Sequence, residues 1–222
     1  MLPIRDVNPT RSFAWVTAIL IAINVLVFLY ELALPSPKAL YGLVHAMGLV
    51  PYRVSRHFSL AVLPTFFTSM FLHAGFVHLL SNMLFLWIFG NNVEDTLGRL
   101  PFTLFYFLCG LGAGAVQVAV NPNSLIPTIG ASGAISGVLG GYMLLFPRAR
   151  VYTLLFVGWF IRLVELPAVM VLGLWIALQF LQGLISLGMP QVGGVAWFAH
   201  IGGFLTGVLL VKLFPKRQRW LS

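Results

Sequence analysis

Residues 13–34 read FAWVTAILIAINVLVFLYELAL, 22 residues with one charged side chain, Glu31. A helix of that length crosses the ~30 Å hydrocarbon core of a bilayer. Arg5, Asp6, Asn8 and Arg11 precede the run, and no small-residue cleavage site of the A-x-A kind follows it. The run is therefore expected to be a retained first helix, not a removed signal peptide.

The rest of the chain repeats this pattern. Of 222 residues, 59% are hydrophobic and 8% charged, against about 25% charged in ordinary soluble domains. So much apolar surface cannot be hidden in a soluble core, so the solvent is lipid. Backbone groups in lipid must satisfy one another, which allows helices or closed barrels. The apolar residues come in long runs without period-two alternation, which excludes a barrel. The predicted class is an all-α polytopic membrane protein.

Six spans are predicted, at roughly 13–34, 76–93, 101–120, 132–147, 168–187 and 196–214, forming one domain over residues 1–222. Breaker signals separate them: Pro35-Ser36-Pro37, Glu94-Asp95 with Gly98-Arg99, Asn121-Pro122-Asn123-Ser124, and Gly188-Met189-Pro190 with Gly193-Gly194. Segment 58–72 is apolar but interrupted by Pro64, and is read as part of a structured loop in the outer leaflet. Segment 151–163 is apolar too, yet Arg150 and Arg162 enclose only 11 residues. That is too short for a spanning helix, so the segment is expected to be interfacial.

Ten basic residues (Arg5, Arg11, Arg99, Arg148, Arg150, Arg162, Lys212, Lys216, Arg217 and Arg219) then share one side, and three (Lys38, Arg53 and Arg56) the other. This places both termini in the cytoplasm. The net charge of +8 is scattered between apolar runs, so nucleic acid is not an expected partner. The C-terminal cluster Lys212, Lys216, Arg217 and Arg219 is expected to meet anionic headgroups of the bilayer. The single cysteine, Cys109, allows no intrachain disulfide framework.

Three polar elements stand out against this apolar background. The first is Gly130-Ala131-Ser132-Gly133-Ala134-Ile135-Ser136-Gly137, opening the fourth span. A serine at a helix N-terminus lies beside unpartnered N–H groups and the positive end of the dipole, which stabilise an oxyanion. The alternative is that Ser132 is an N-cap and the glycines are packing residues; alone, the stretch favours that alternative. The second element is Ala199-His200-Ile201-Gly202-Gly203 in the sixth span. An ionisable residue in a span is a functional candidate, or a histidine bonded to a neighbouring helix for structure. Gly203 and Gly207 on one helix, with Gly133, Gly137 and Gly141 on the other, are expected to let the two backbones approach and bring His200 to Ser132. The third is His78-Leu79-Leu80-Ser81-Asn82, whose first and last residues share a helical face. They can join the backbone N–H of Ser132 in an oxyanion hole, or serve as helix–helix glue.

These residues together resemble the rhomboid intramembrane proteases: Ser132 in G-A-S-G, His200 in A-H-I-G-G, and His78 with Asn82 in H-x-x-x-N. The resemblance runs from about residue 60 to 214. It implies a six-helix bundle with a water-filled cavity open to the outer face. Ser132 would be the nucleophile, His200 the general base, and His78, Asn82 and the Ser132 N–H the oxyanion hole, supported by Gly130, Gly133 and Ser136. Glu94, in N-N-V-E-D-T-L-G, matches an acidic position at the cytoplasmic end of the second span, where a structural role is expected. Segment 35–75 would be the membrane-embedded first loop, and Ala168–Leu187 the lateral gate for substrate. Two departures are visible. Position 136, commonly aromatic in the family and packed on the histidine, is Ser136, which leaves Trp197 or Phe198 to pack there and makes Ser136 a rival nucleophile. A Trp-Arg pair found in the first loop of some members is missing before His73.

No acidic residue is placed to orient His200: Asp6, Asp95, Glu94 and Glu165 fall on the cytoplasmic side, and Glu31 lies outside the three motifs. A Ser–His dyad is therefore expected, with no cofactor and no metal, acting on single-span or polytopic membrane-protein substrates. The compact length leans towards a bacterial plasma membrane. None of the five histidines begins an H-E-x-x-H zinc motif, and neither aspartate falls within a span. A transporter would show a polar pathway in repeated halves, and Gln117, Gln179 and Gln182 form no repeat. A non-catalytic relative acting as a membrane chaperone is the remaining alternative; the presence of both Ser132 and His200 argues against it.

Overall fold

The computed structural model describes residues 1–158, 160–188 and 194–217. Met189, Pro190 and Gly193 of the last predicted breaker, and Arg219 of the basic cluster, lie outside them. Among the described residues four helices are long and apolar enough to cross a membrane: Trp15–Leu32, Phe76–Leu97, Arg99–Val120 and Ala168–Leu187. Large apolar side chains such as Leu26, Val77, Leu100 and Leu209 cover their outer surfaces and those of their neighbours. An apolar exterior of this extent is a lipid-facing one. The protein is a multi-pass helical membrane protein.

Helix α1 (Trp15–Leu32) has no cap of its own; the residue before it is Ala14. Its unpartnered N–H groups are met from elsewhere in the chain. Glu94 accepts from the backbone of Val16 at 3.0 Å and of Thr17 at 2.8 Å, and from the Thr17 hydroxyl at 2.8 Å. A carboxylate there also faces the positive end of the helix dipole. The neighbouring Asp95 accepts from Ser12 Oγ and from the Arg11 backbone, so the approach to α1 is clamped as well.

Segment 35–75 is structured. Pro37 opens α2 (Pro37–Met47), and Ser36 caps it by accepting from Ala39 N. Pro51 opens α3 (Pro51–Arg56). Beyond Pro64 come α4 (Thr65–Thr68) and a further tight turn. Leu49 and Thr128 exchange backbone hydrogen bonds, and Gly130 N donates to Ser69 O at 2.8 Å. The first loop and the loop of residues 121–131 thus form one layer.

Helix α5 (Phe76–Phe85) passes through a wider turn at Leu86–Gly90 into α6 (Asn91–Leu97). Gly98, at φ +89°, breaks the chain from α7 (Arg99–Val120). The core lies where these helices meet α8 (Ser132–Leu145), around Phe89, Phe102, Phe105, Tyr106, Leu139 and Tyr142. Helix α9 (Ala168–Leu187) follows, and then α10 (Trp197–Leu210). Helices α8 and α10 have 14 residues each, about 21 Å of rise, and are shorter than the fourth and sixth predicted spans.

The expected glycine-mediated approach of the fourth and sixth helices is present, and a third helix shares it. Gly133, Gly137 and Gly141 turn their bare Cα atoms towards Ala113, Cys109 and Phe105 of α7. Helix α10 lies instead on the carbonyl edge of α8, where a Cβ on Gly203 or Gly207 would run into the carbonyl oxygens of Gly133 or Gly137. Helix α8 is thereby held closely from two directions.

The fold also contains a small sheet that the helical reading lacks. Strands β1 (Leu2–Asp6), β2 (Arg150–Val157) and β3 (Phe160–Pro167) pair antiparallel in that order. The described residues of the apolar segment 151–163 thus lie in a β-hairpin and not in a helix. Its β-branched and aromatic residues suit strands, and a short apolar run cannot be assigned to helix or strand by periodicity alone. Burial alternates at the start of β2, with Val151 and Thr153 fully buried and their neighbours less so. At the end of β1, Asp6 accepts from Asn92 Nδ2 at 2.9 Å and from the Tyr142 hydroxyl at 2.6 Å, tying the N-terminus to the bundle.

Candidate active site

Ser132 is the first residue of α8, and His200 lies in the first turn of α10. Ala131 occupies the cap position and the helix has no side-chain cap, so Ser132 is not an N-cap. Its hydroxyl lies 2.8 Å from His200 Nε2. The other ring nitrogen, Nδ1, lies 2.7 Å from Gln179 Oε1 on α9. An amide oxygen only accepts, so Nδ1 carries the ring proton and Nε2 accepts from Ser132. Trp175 and Trp197 flank the imidazole at ring-centroid distances of 5.8 and 6.3 Å. Of the two residues expected to pack on His200 in place of an aromatic at 136, Trp197 does so.

Ser136 is turned away from the histidine. Its hydroxyl donates to the Ser132 carbonyl at 2.7 Å, and it is 1% exposed. The sequence favoured Ser132 over its rival Ser136, and the geometry brings Ser132 to the imidazole.

His78 and Asn82 approach from α5. His78 Nδ1 accepts from the Ala74 backbone N–H at 3.3 Å, which leaves the proton on Nε2. That nitrogen comes up to Gly130, where a Cβ would meet it at 2.7 Å, and Gly130 itself sits at φ +117°. Both facts require glycine at 130. Asn82 is buried, and its Nδ2 has no hydrogen-bond partner among the described residues. A buried amide donor without a partner is costly and is suited to a charge that develops only during a reaction. His78, Asn82, Ser132 and His200 line one cavity of about 1210 Å³. Among the described residues no group of three His, Cys, Asp or Glu side chains comes together as a metal site.

Two side chains that sequence reasoning assigned no role belong to this environment. Gln117 Oε1 on α7 accepts from Ala199 N at 3.1 Å, fixing the turn that carries His200. Glu31 accepts from His73 N through both carboxylate oxygens, at 3.3 and 3.2 Å, and so anchors the chain just before α5. Isolated Gln or Glu in an apolar run was the available signal. Glu94 lies away from the cavity, at the start of α1.

The family model of the Rhomboid domain matches residues 61–217. The chain belongs to the rhomboid family. Similar proteins include RHOMBOID-like protein 4 of Arabidopsis thaliana, 36% identical over 153 residues, which cover 68% of this chain and 34% of that one. Rhomboid protein 1, mitochondrial, of Saccharomyces cerevisiae is 34% identical over 147 residues, 64% of this chain and 39% of that one. Rhomboid-like protease 3 of Toxoplasma gondii is 32% identical over 149 residues, 67% of this chain and 51% of that one. This rhomboid therefore spans a third to a half of the length of these relatives. The rhomboid family is largely one of intramembrane serine proteases, and the match covers every element of the site, from His78 to His200.

Proposed function

We propose that this rhomboid is an intramembrane serine endopeptidase that cleaves transmembrane segments of other membrane proteins near their outer ends. The observation that carries the reading is the 2.8 Å contact between Ser132 Oγ and His200 Nε2 beside a large cavity. A lone serine hydroxyl is a weak nucleophile, and an imidazole within hydrogen-bond reach activates it. His200 Nε2 takes the proton as Ser132 Oγ attacks the scissile carbonyl. The oxyanion meets His78 Nε2–H, Asn82 Nδ2–H and the Ser132 backbone N–H at the N-terminus of α8. His200 then protonates the leaving amine, and water, deprotonated by the same nitrogen, hydrolyses the acyl-enzyme. Protonation of His200 in acid removes the base, so activity is lost there and returns on neutralisation.

A substrate helix hides its carbonyls in its own hydrogen bonds, so cleavage requires local unwinding, and Gly or Pro near the scissile bond favours it. Helices α8 and α10 are read as the fourth and sixth of six spans, with α9 as the side past which substrate enters. The excess of ten basic residues against three supports an orientation with both termini in the cytoplasm and the cavity on the outer side. The expected membrane is a bacterial plasma membrane, a choice to which the named relatives, one of them mitochondrial, lend no support.

The test is cleavage of a single-span substrate by the purified protein, comparing wild type with Ser132→Ala, Ser136→Ala and His200→Ala. Loss in the first and third variants with activity kept in the second supports the dyad. Full activity in Ser132→Ala overturns it, and absence of cleavage by every form across several substrates favours a non-catalytic rhomboid.

A further inference from the structure

Helix α9 is apolar almost throughout, yet Gln179 is buried in it. An amide in such surroundings costs free energy unless it is bonded, and its Oε1 is 2.7 Å from His200 Nδ1. Trp175 lies one turn earlier and stacks obliquely near the same imidazole. Gly183 lies one turn later, where a Cβ would meet Trp197, Phe198 and Ile201 at 3.4–3.5 Å. Positions 175, 179 and 183 form one stripe, and that stripe is the face of α9 set against α10.

The chain has five acidic residues, and each is engaged elsewhere. Asp6 holds Asn92 and Tyr142, Glu31 holds His73 N, and Glu94 and Asp95 hold the start of α1. Glu165 pairs with Arg150 at 3.8 Å. Among the described residues no carboxylate takes the orienting position next to His200. We propose that Gln179 is the positioning residue of the dyad, a neutral third member that holds the proton on His200 Nδ1 and leaves Nε2 free to accept from Ser132. A flipped amide would select the opposite tautomer, with Nε2–H facing the serine and no base available. Gln117 supports the arrangement from the other side by fixing the backbone at Ala199. The ring is thus oriented by α9 and its helix turn by α7.

The proposal rests on the dyad reading and is tested on the full chain in lipid vesicles with two variants. Gln179→Met keeps the length and removes the acceptor; Gln179→Glu keeps an acceptor and adds charge. Loss of one such hydrogen bond is expected to lower kcat roughly two- to tenfold with KM unchanged. Gln179→Glu is expected to retain kcat and to move the acid limb of the pH profile to higher pH, because a carboxylate stabilises imidazolium. His78, the other imidazole lining the cavity, is common to all forms and does not produce that difference. Wild-type kcat and pH profile in Gln179→Met overturn the proposal. So does an equal loss in both variants with an unmoved acid limb, which is what a packing role gives.

Nitrogen-15 spectra of the histidine side chains provide a readout independent of cleavage. In Ser132→Ala the proton of His200 is expected to stay on Nδ1, and in Ser132→Ala with Gln179→Met that preference is lost. A His200 proton on Nε2 in the Ser132→Ala protein overturns the assignment. Cleavage by Ser132→Ala would sink the dyad while leaving this tautomer test in force.

Discussion

Gly203 rests on the carbonyl oxygen of Gly133, so close that a Cβ at position 203 would occupy the space of that oxygen. The obstacle is backbone, which cannot swing away as a side chain would. Three residues before Gly203 is His200, and one before Gly133 is Ser132. The contact that joins the two helices therefore also sets the distance between the Ser132 and His200 side chains. Gly203→Ala is expected to push α10 off α8, destabilising the protein by roughly 1–3 kcal/mol and abolishing cleavage. Thermal unfolding and kcat are the measurements. A fully active Gly203→Ala protein would show that the dyad tolerates a wider helix separation than the packing implies.

Ser136→Ala is expected to be nearly silent. The hydroxyl serves only the carbonyl one turn back, a bond that contributes little to a helix. Stability should change by less than about 1 kcal/mol, and kcat should stay within about twofold of wild type. A loss comparable to that of Ser132→Ala would reinstate Ser136 as the nucleophile.

Asn82→Ala removes a buried donor that has no partner among the described residues. Its absence is felt only when the oxyanion forms, so kcat is expected to fall about 10²-fold or more with KM little changed. Stability should hold or rise, because a costly unpartnered amide is gone. A drop in melting temperature with unaltered kcat would instead identify Asn82 as a bond between helices.

Glu94→Ala tests the other end of the bundle. Three donors at the start of α1 lose their acceptor, with an expected cost on the order of 3 kcal/mol. The cavity contains no part of this cluster, so kcat of the protein that remains folded should match wild type. Chemical unfolding in mixed micelles checks the first expectation and active-site titration the second.

The apolar runs, their breakers and the ordered polar motifs were legible in the sequence because each is a local pattern read over a few turns. Span-length apolar stretches follow from the thickness of the hydrocarbon core, and a serine opening a helix is visible as a position. The strand character of segment 151–163 was not legible, since a short apolar run between arginines suits helix and strand equally; pairing with Leu2–Asp6, far away in the chain, decided the matter. Gln179, Gln117 and Trp175 look in sequence like occasional polar or bulky residues in apolar helices. Their roles come from where α7 and α9 are placed around α10. What the sequence alone determined is therefore the membrane class and the helical character, set by composition and short-range spacing, together with the candidate residues Ser132, His200, His78 and Asn82 that the resemblance to the rhomboid family singled out. The tertiary structure alone decided that Ser132 lies within hydrogen-bond distance of His200, that Gln179 faces the other ring nitrogen and which side of α8 each neighbour covers. Those depend on contacts between residues twenty to eighty positions apart, fixed by close packing and by the directions in which single hydrogen bonds can point.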